Sequence, residues 1–469
     1  MSNMPKRLTQ SRFFSPLLLL LMVAVAPLAS QGLGLTHPAK AGQQITSWLD
    51  WSGVGASRKR LSILPYAHED RSKSQKVAVA SVKELKKAIR KAKAGQTIII
   101  APGTYRVPGS KIPAQATGRA DAPITVMANT LGDVILEFDL SGGFNVKQPY
   151  WNFENLVIRG VCAKHTKCEH AFHVVADARF IGIRNNIVID FNAQVKVNGA
   201  TFKKVRSIPD NGVIEGNTFI NTAPRQTHRS VTPIDIVGAK DWIIRRNLIA
   251  DYSKALGNKT SYAAFAKGES SGTLFENNLI ICAMNQPPAA NQVGLSFGGG
   301  GTGKTLCRNG ACRDIEHTGG TMRGNVILNC SDVGIYLNKA ADTTIHNNTI
   351  LHTTGIDSRF AASSATIFNN ILDGRIKERN GGSFTEESNL ALGSKALFGL
   401  AGGAGTSTLF TNAQKVDLSL KDRSAVVGKG QPIPTPSADI CGHKRDSKTP
   451  DLGAIEYKGG ACDPRNLSR

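Results

Sequence analysis

A short phrase recurs through the middle of the chain: an asparagine, three mostly apolar residues, then a break. It starts at Asn155, Asn186, Asn217, Asn247, Asn278, Asn325, Asn348 and Asn370. The first five starts are 31, 31, 30 and 31 residues apart, and the last two steps are 23 and 22. An internal period of this size points to a solenoid, in which each coil buries its apolar side chains against its neighbours. Strand-like runs lie upstream of the phrases, among them 171–175, 233–237, 264–268, 293–297 and 333–337. They are short and bounded by Gly, Asn, Asp and Ser, as strands are. The expected fold is all-β, a right-handed parallel β-helix whose lateral faces suit long polymers. The repeated Asn is assigned to the bend, where it tolerates left-handed backbone and bonds to the next coil. It is scaffold and carries no catalysis.

A solenoid grows by adding coils, so 469 residues need not divide into several cores. Residues 1–30 read as an export signal, with Lys6, Arg7 and Arg12 ahead of an apolar run at 17–28 that is too short to span a bilayer; cleavage as late as residue 41 fits equally. Residues 42–80 read as an irregular basic lead-in. Residues 81–93 predict an amphipathic helix opened by a Ser81/Glu84 capping box, suited to covering the first coil's strand edges. Coils are expected to about residue 380, and 381–469 form a C-terminal cap and tail.

Eight cysteines in an exported chain favour disulfides: closeness suggests 162–168 and 307–312, Cys441 and Cys462 flank the C-terminal tail, and Cys282 and Cys330, which each follow an asparagine phrase, are a further candidate pair, although the sequence does not fix connectivity. No CxxC pair or Cys/His cluster has zinc spacing. The net charge is +22; losing residues 1–30 removes three basic and no acidic side chains, leaving +19. Such a surface attracts polyanions. For an exported protein the expected partner is an acidic polysaccharide, not nucleic acid, with no stable membrane insertion; a monomer is expected, in the periplasm or outside the cell.

The 47-residue step from Asn278 to Asn325 holds an insertion at about 298–316. Its GGGGTGKT nominally fits a phosphate loop, but no strand–loop–helix context surrounds it. A loop over a cleft is the better reading.

The run GQTIIIAPGTYR from Gly95 to Arg106, then ADAPITVMA from Ala120 to Ala128, resembles the opening coils of the chondroitinase-B-like and alginate-lyase β-helix proteins (polysaccharide lyase family six). The closing PDLGAIEY at Pro450 to Tyr457 fits the same group. The resemblance implies an exported lyase cleaving a uronic-acid polysaccharide by β-elimination. In AKGESSGTLFENNLIIC, Ala266 to Cys282, Lys267 matches the family's catalytic lysine. The family's assisting arginine is not matched on the next coil, which reads QVGLSFGGGG from Gln292. Calcium is also implied, yet the stretch before Lys267, Thr260 to Phe265, offers none of the acidic ligands, so no metal ligand is assigned.

β-Elimination needs a base at the C5 proton and a cation to stabilise charge on the neighbouring carboxylate. Lys267 is the candidate base. Asp235, one coil earlier, is a candidate to orient it. His317 and Arg323, after the insertion, are candidate replacements for the missing arginine. His228, Arg229, Lys339 and Arg359 are candidate substrate-binding residues. The alternatives are a C5-epimerase of the same substrates, a glycoside hydrolase using Asp235 and Glu269, and a non-catalytic polyanion-binding protein.

Overall fold

The computed structural model describes residues 74–457 apart from 110, 300, 311, 313, 394–403 and 435–436, together with 462 and 464. The export signal and the lead-in before residue 74 lie outside the described residues. The chain winds as a right-handed parallel β-helix with three long sheets, of twelve, ten and eleven strands among the described residues. Each coil contributes in turn to the first sheet, the third and the second. The stacking is parallel and in register, so one position of the repeat becomes one row of side chains.

Those rows explain the core. In the second sheet Phe144, Phe172, Val195, Ile234, Ala264, Leu295, Ile335 and Ile356 pair in sequence and point inward. In the third, Val188, Phe219, Ile249, Ile280, Ile327 and Ile350 do the same. All are buried. Alternate residues face outward, as the two-residue period of a strand requires.

The asparagine phrase resolves into two rows. Asn186, Asn217, Asn247, Asn278, Asn325, Asn348, Asn370 and Asn389 form one ladder, each Oδ1 accepting from the backbone N–H and side-chain amide of the preceding Asn, at 2.9–3.1 Å. Asn186 itself receives the Leu156 N–H, so Leu156, not Asn155, occupies the ladder position in that coil. Asn155 belongs to the row one residue earlier, with Asn185, Gly216, Arg246, Asn277, Gly324, Asn347, Asn369 and Ser388. That row, and not the ladder, has left-handed backbone (φ 50–66°) and makes the bend.

The helix Val82–Arg90 closes the N-terminal end. Ser81 Oγ accepts the Glu84 N–H, the Glu84 carboxylate accepts the Ala80 N–H, and Leu85 and Ile89 are buried against the first coils. Just before it, residues expected to be irregular form the strand Gln75–Val79, paired with Gln96–Ile100. The coils run past residue 380, to the strand Leu390–Ala391. The C-terminal segment lies along the third sheet: Leu409, Phe410, Leu418, Val426, Leu452 and Ile455 cover the outward Leu248, Leu279, Val326 and Ile371. This is why the phrase carries consecutive apolar residues, the middle one facing the core and its neighbours facing the tail. All eight cysteines are paired, as 162–168, 282–330, 307–312 and 441–462. Such pairing belongs to an oxidising, extracytoplasmic compartment.

Candidate active site

The outer face of the second sheet gathers the chemistry. Register sets one outward row as Asn145, His173, Lys196, Asp235, Phe265, Ser296, Tyr336, Asp357 and Lys377. Two residues further along the strands, a second row holds Asn198, Val237 and Lys267 in adjacent coils, then Gly298, Asn338, Arg359 and Arg379. Lys267 and Asp235 therefore lie on neighbouring coils of one face, and Arg359 follows further along it.

Lys267 ends the strand Thr260–Lys267. It is half-buried, with Nζ 4.5 Å from the centroid of the Phe265 ring. Burial holds its pKa below the ordinary lysine value; Lys196 adds to that effect, while Asp235 and Glu316 oppose it. Asp235 is buried and accepts a hydrogen bond of 2.7 Å from Lys196 Nζ through Oδ2, whereas its Oδ1 has no hydrogen-bond partner. His173 is held between Asn145 Nδ2 (3.3 Å, at Nδ1) and Asn198 Oδ1 (3.0 Å, at Nε2). With the Asn145 amide donating at Nδ1, a neutral ring carries its proton on Nε2, toward Asn198 Oδ1, and burial lowers its pKa. Arg359 Nη1 donates to Tyr336 Oη at 2.9 Å, with Asn338 Nδ2 at 3.3 Å from the same oxygen. Arg379 pairs with Asp357.

A calcium ion does not fit this centre. Calcium takes six to eight oxygen ligands, several of them carboxylates. Here one carboxylate, Asp235, faces the lysines and already pairs with Lys196. Glu316 instead accepts the Gly268 N–H at 2.6 Å.

The other sequence-predicted residues are dispersed. His317 is the clearest correction. It lies in a short strand at a corner of the coil, paired with Ser270, and its ring points into the core and stacks on Phe297 at 4.0 Å between centroids. It is fully buried, neither ring nitrogen has a hydrogen-bond partner, and burial pushes its pKa down to about 3. Arg323 is on the first sheet, in an outward row that alternates in sign: Glu154, Arg184, Glu215, Arg245, Glu276, Arg323. It pairs with Glu276 at 2.7 Å. Coil stacking would bring like charges within about 5 Å, so alternation is what permits the row. His228 and Arg229 are exposed at the turn before the strand Ile234–Val237, and Arg229 pairs with Glu169 at 3.2 Å. Lys339 follows the strand Ile335–Asn338 at the border of the face, 6.0 Å from the Phe360 ring centroid and 3.9 Å from Asp314.

Lys196, His173, Asn198 and Tyr336 were missed by sequence reasoning. Their signal is register: written under one another, the strands at 170–175, 195–198, 234–237, 260–267 and 335–338 put them in the two rows that carry Asp235 and Lys267.

The fold is that of a parallel β-helix protein, and it is similar to the polysaccharide lyases. The Chondroitinase B family model matches residues 79–206. A model described as periplasmic copper-binding protein (NosD) matches residues 302–391. Among solved structures, the chain is similar to the pectate lyase Pel9A, with 15% identity, 82% of this chain and 96% of that chain covered, and a TM-score of 0.42. It is similar also to the PL6 family polysaccharide lyase Pedsa3628 from Pseudopedobacter saltans (17% identity, 67% and 92% covered, TM-score 0.34). An alginate lyase from Paenibacillus sp. str. FPU-7 gives 18% identity, 68% and 99% covered, and a TM-score of 0.34. No curated protein matches. Among the described residues no helix is long and apolar enough to cross a membrane.

Proposed function

We propose that this is an exported, metal-independent lyase that cleaves a uronic-acid polysaccharide by β-elimination. One observation carries the reading: a half-buried lysine of lowered pKa, Lys267, lies on the outer face of the second sheet two coils from a second lysine, Lys196, with the buried Asp235 that fixes Lys196 on the coil between them. Lys267 in its neutral form takes the C5 proton. The C4–O bond breaks, a C4–C5 double bond forms, the leaving oxygen takes up a proton from water, and the Lys267 ammonium returns its proton to solvent. Lys196 supplies the positive charge at the substrate carboxylate, held in place by Asp235. Arg359 and Arg379 bind carboxylates further along the chain. An epimerase shares the first step and returns the proton to the other face of C5.

A glycoside hydrolase is disfavoured. Of the pair the sequence offers, Asp235 is held by Lys196 at 2.7 Å and Glu269 accepts the Asn309 N–H at 2.8 Å; Asp235 and Asp357, the acids of the outward row, are four coils apart, on the order of 19 Å at sheet spacing, whereas hydrolase carboxylates stand about 5–9.5 Å apart. The test is absorbance from the unsaturated product on alginate, pectate and glycosaminoglycans. Wild type is expected to act on at least one, Lys267→Met on none, and the wild-type rate is expected to rise with pH with a midpoint below the ordinary lysine value of about 10.4. No product and no C5 inversion on any of them would sink the proposal.

A further inference from the structure

Directly after Asn198, at the edge of the second sheet where Lys267 also ends its strand, the chain leaves the coil as a hairpin. Its strands are Ala200–Phe202 and Val205–Ser207, with Phe202 opposite Val205 and Lys203 and Lys204 as the two turn residues. Three features of this hairpin have no explanation in the fold.

The first is the turn. Both lysines have left-handed backbone, with φ 47° and 68°. That is the mirror-image turn favoured in two-residue hairpins, for which Asn-Gly is the unstrained sequence. A long side chain at each position costs stability, and such outliers cluster where function keeps them. The second is exposure. Phe202 is 74% and Val205 66% exposed, the two most exposed large apolar residues described. Lys203 Nζ lies 5.6 Å from the Phe202 ring centroid, so the tip is apolar and cationic together.

The third is the rigid base. Arg206 donates to the carbonyls of Thr305, Cys307 and Arg308 at 2.9, 2.5 and 2.8 Å, and Arg308 in turn holds Asp210 at 2.9 Å and the Gly238 carbonyl at 3.0 Å. The hairpin and the disulfide loop Cys307–Cys312 thus form one wall. Lys267 stands at its foot: the backbone N–H of Arg308 in the disulfide loop donates to the carbonyl of Gly268, the residue after Lys267, at 2.9 Å.

We infer that the hairpin tip at residues 202–205 grips the anionic polysaccharide chain beside Lys267, with the Phe202 ring against a sugar face and Lys203 and Lys204 on its carboxylates. This rests on the reading of the face as a polyuronate site. A ring on a clamped hairpin offers apolar area at little entropic cost, and paired ammonium groups select acidic chains.

The test is affinity electrophoresis in gels containing polygalacturonate or alginate, in a Lys267→Met background that prevents turnover. Phe202→Ala and the double variant Lys203→Asn/Lys204→Gly are each expected to weaken retention about fivefold to tenfold. The double variant installs the unstrained turn, so its Tm is expected to equal or exceed the parent's while binding falls. Unchanged retention in both variants, a parent that is not retained at all, or a lowered Tm in the turn variant would overturn the inference. So would phosphatidylglycerol vesicles that are bound by the parent and released by these variants while polyuronate retention is unchanged, which would assign the tip to a lipid surface. Hairpin-dependent retention without any unsaturated product from wild type would leave this inference standing and remove the lyase reading.

Discussion

The asparagine ladder makes a sharp prediction at its centre. Asn247 Oδ1 accepts the Asn217 backbone N–H and side-chain amide, both at 3.0 Å, while its own amide donates to the Ile214 and Arg245 carbonyls and to Asn278 Oδ1. Asn217 and Asn247 are buried, so water does not replace a lost partner. Asn247→Ala strands the Asn217 N–H, at a cost of about 1–3 kcal/mol, and removes further hydrogen bonds worth about 1 kcal/mol each. The expected loss is about 3 kcal/mol. Asn389→Ala is the control, because Asn389 makes three such bonds against five for Asn247 and is only half-buried at the end of the ladder, where water replaces lost partners; it should lose about 1 kcal/mol. Urea unfolding read by circular dichroism gives both values, with the midpoint falling and the slope held. If Asn247→Ala cost no more than Asn389→Ala, the ladder would not be a cooperative element of the core. A reduced slope would refute the argument differently, by showing that the break uncouples the coils on either side.

Two further predictions concern the residues displaced from the candidate site. The folded-state pKa of His317, about 3, lies below the unfolded value, so stability is full above the unfolded pKa and falls with pH down to the folded one. Between pH 7 and pH 4.5 the loss is about 2–3 kcal/mol; His317→Phe, which preserves stacking on Phe297, should lose that much less than wild type over this range in urea midpoints, and equal losses would sink the idea. Arg323→Ala should lower stability by about 1–3 kcal/mol, because it takes a donor from the buried carboxylate of Glu276, with polyuronate retention in affinity gels unaltered; weakened retention would return Arg323 to the site.

Much of the scaffold is legible in the sequence because solenoid stacking converts one repeated residue into one row. The period was readable this way, the capping helix was readable from its capping box and apolar face, and the four cysteine pairs are the ones the sequence offered without fixing their connectivity. The failures come from single-residue register. Adjacent asparagines at 185 and 186 disguise which one accepts from the coil before, so the phrase at Asn155 is one residue out of step with the ladder. Several strands of the candidate face are readable as strands, but Val195–Asn198 is only four residues long and is followed by the hairpin, so Lys196 escapes notice. His317 and Arg323 follow the insertion in sequence, and that proximity says nothing about direction: the corner turns the histidine inward, and the next strand belongs to another sheet.

The three outer faces have different compositions, and the difference locates function more firmly than any one residue. The third sheet's outer face is apolar over its later coils and is sealed by the C-terminal segment. The first sheet's face is an alternating row of glutamate and arginine whose charges neutralise one another pairwise; the tail also reaches it, through Asn277 to the Ala438 carbonyl and Asn347 to the Asp451 carbonyl. The second sheet's face follows neither rule. Its rows place two lysines beside one aspartate, then aromatic rings, then two arginines, so its cations outnumber its acids toward both ends. In-register stacking penalises unneutralised like charge, because successive coils lie only about 5 Å apart. A face that retains an excess of one sign against that penalty fits the proposed reading, in which a polyanion lying along the solenoid axis would supply the counter-charge coil by coil.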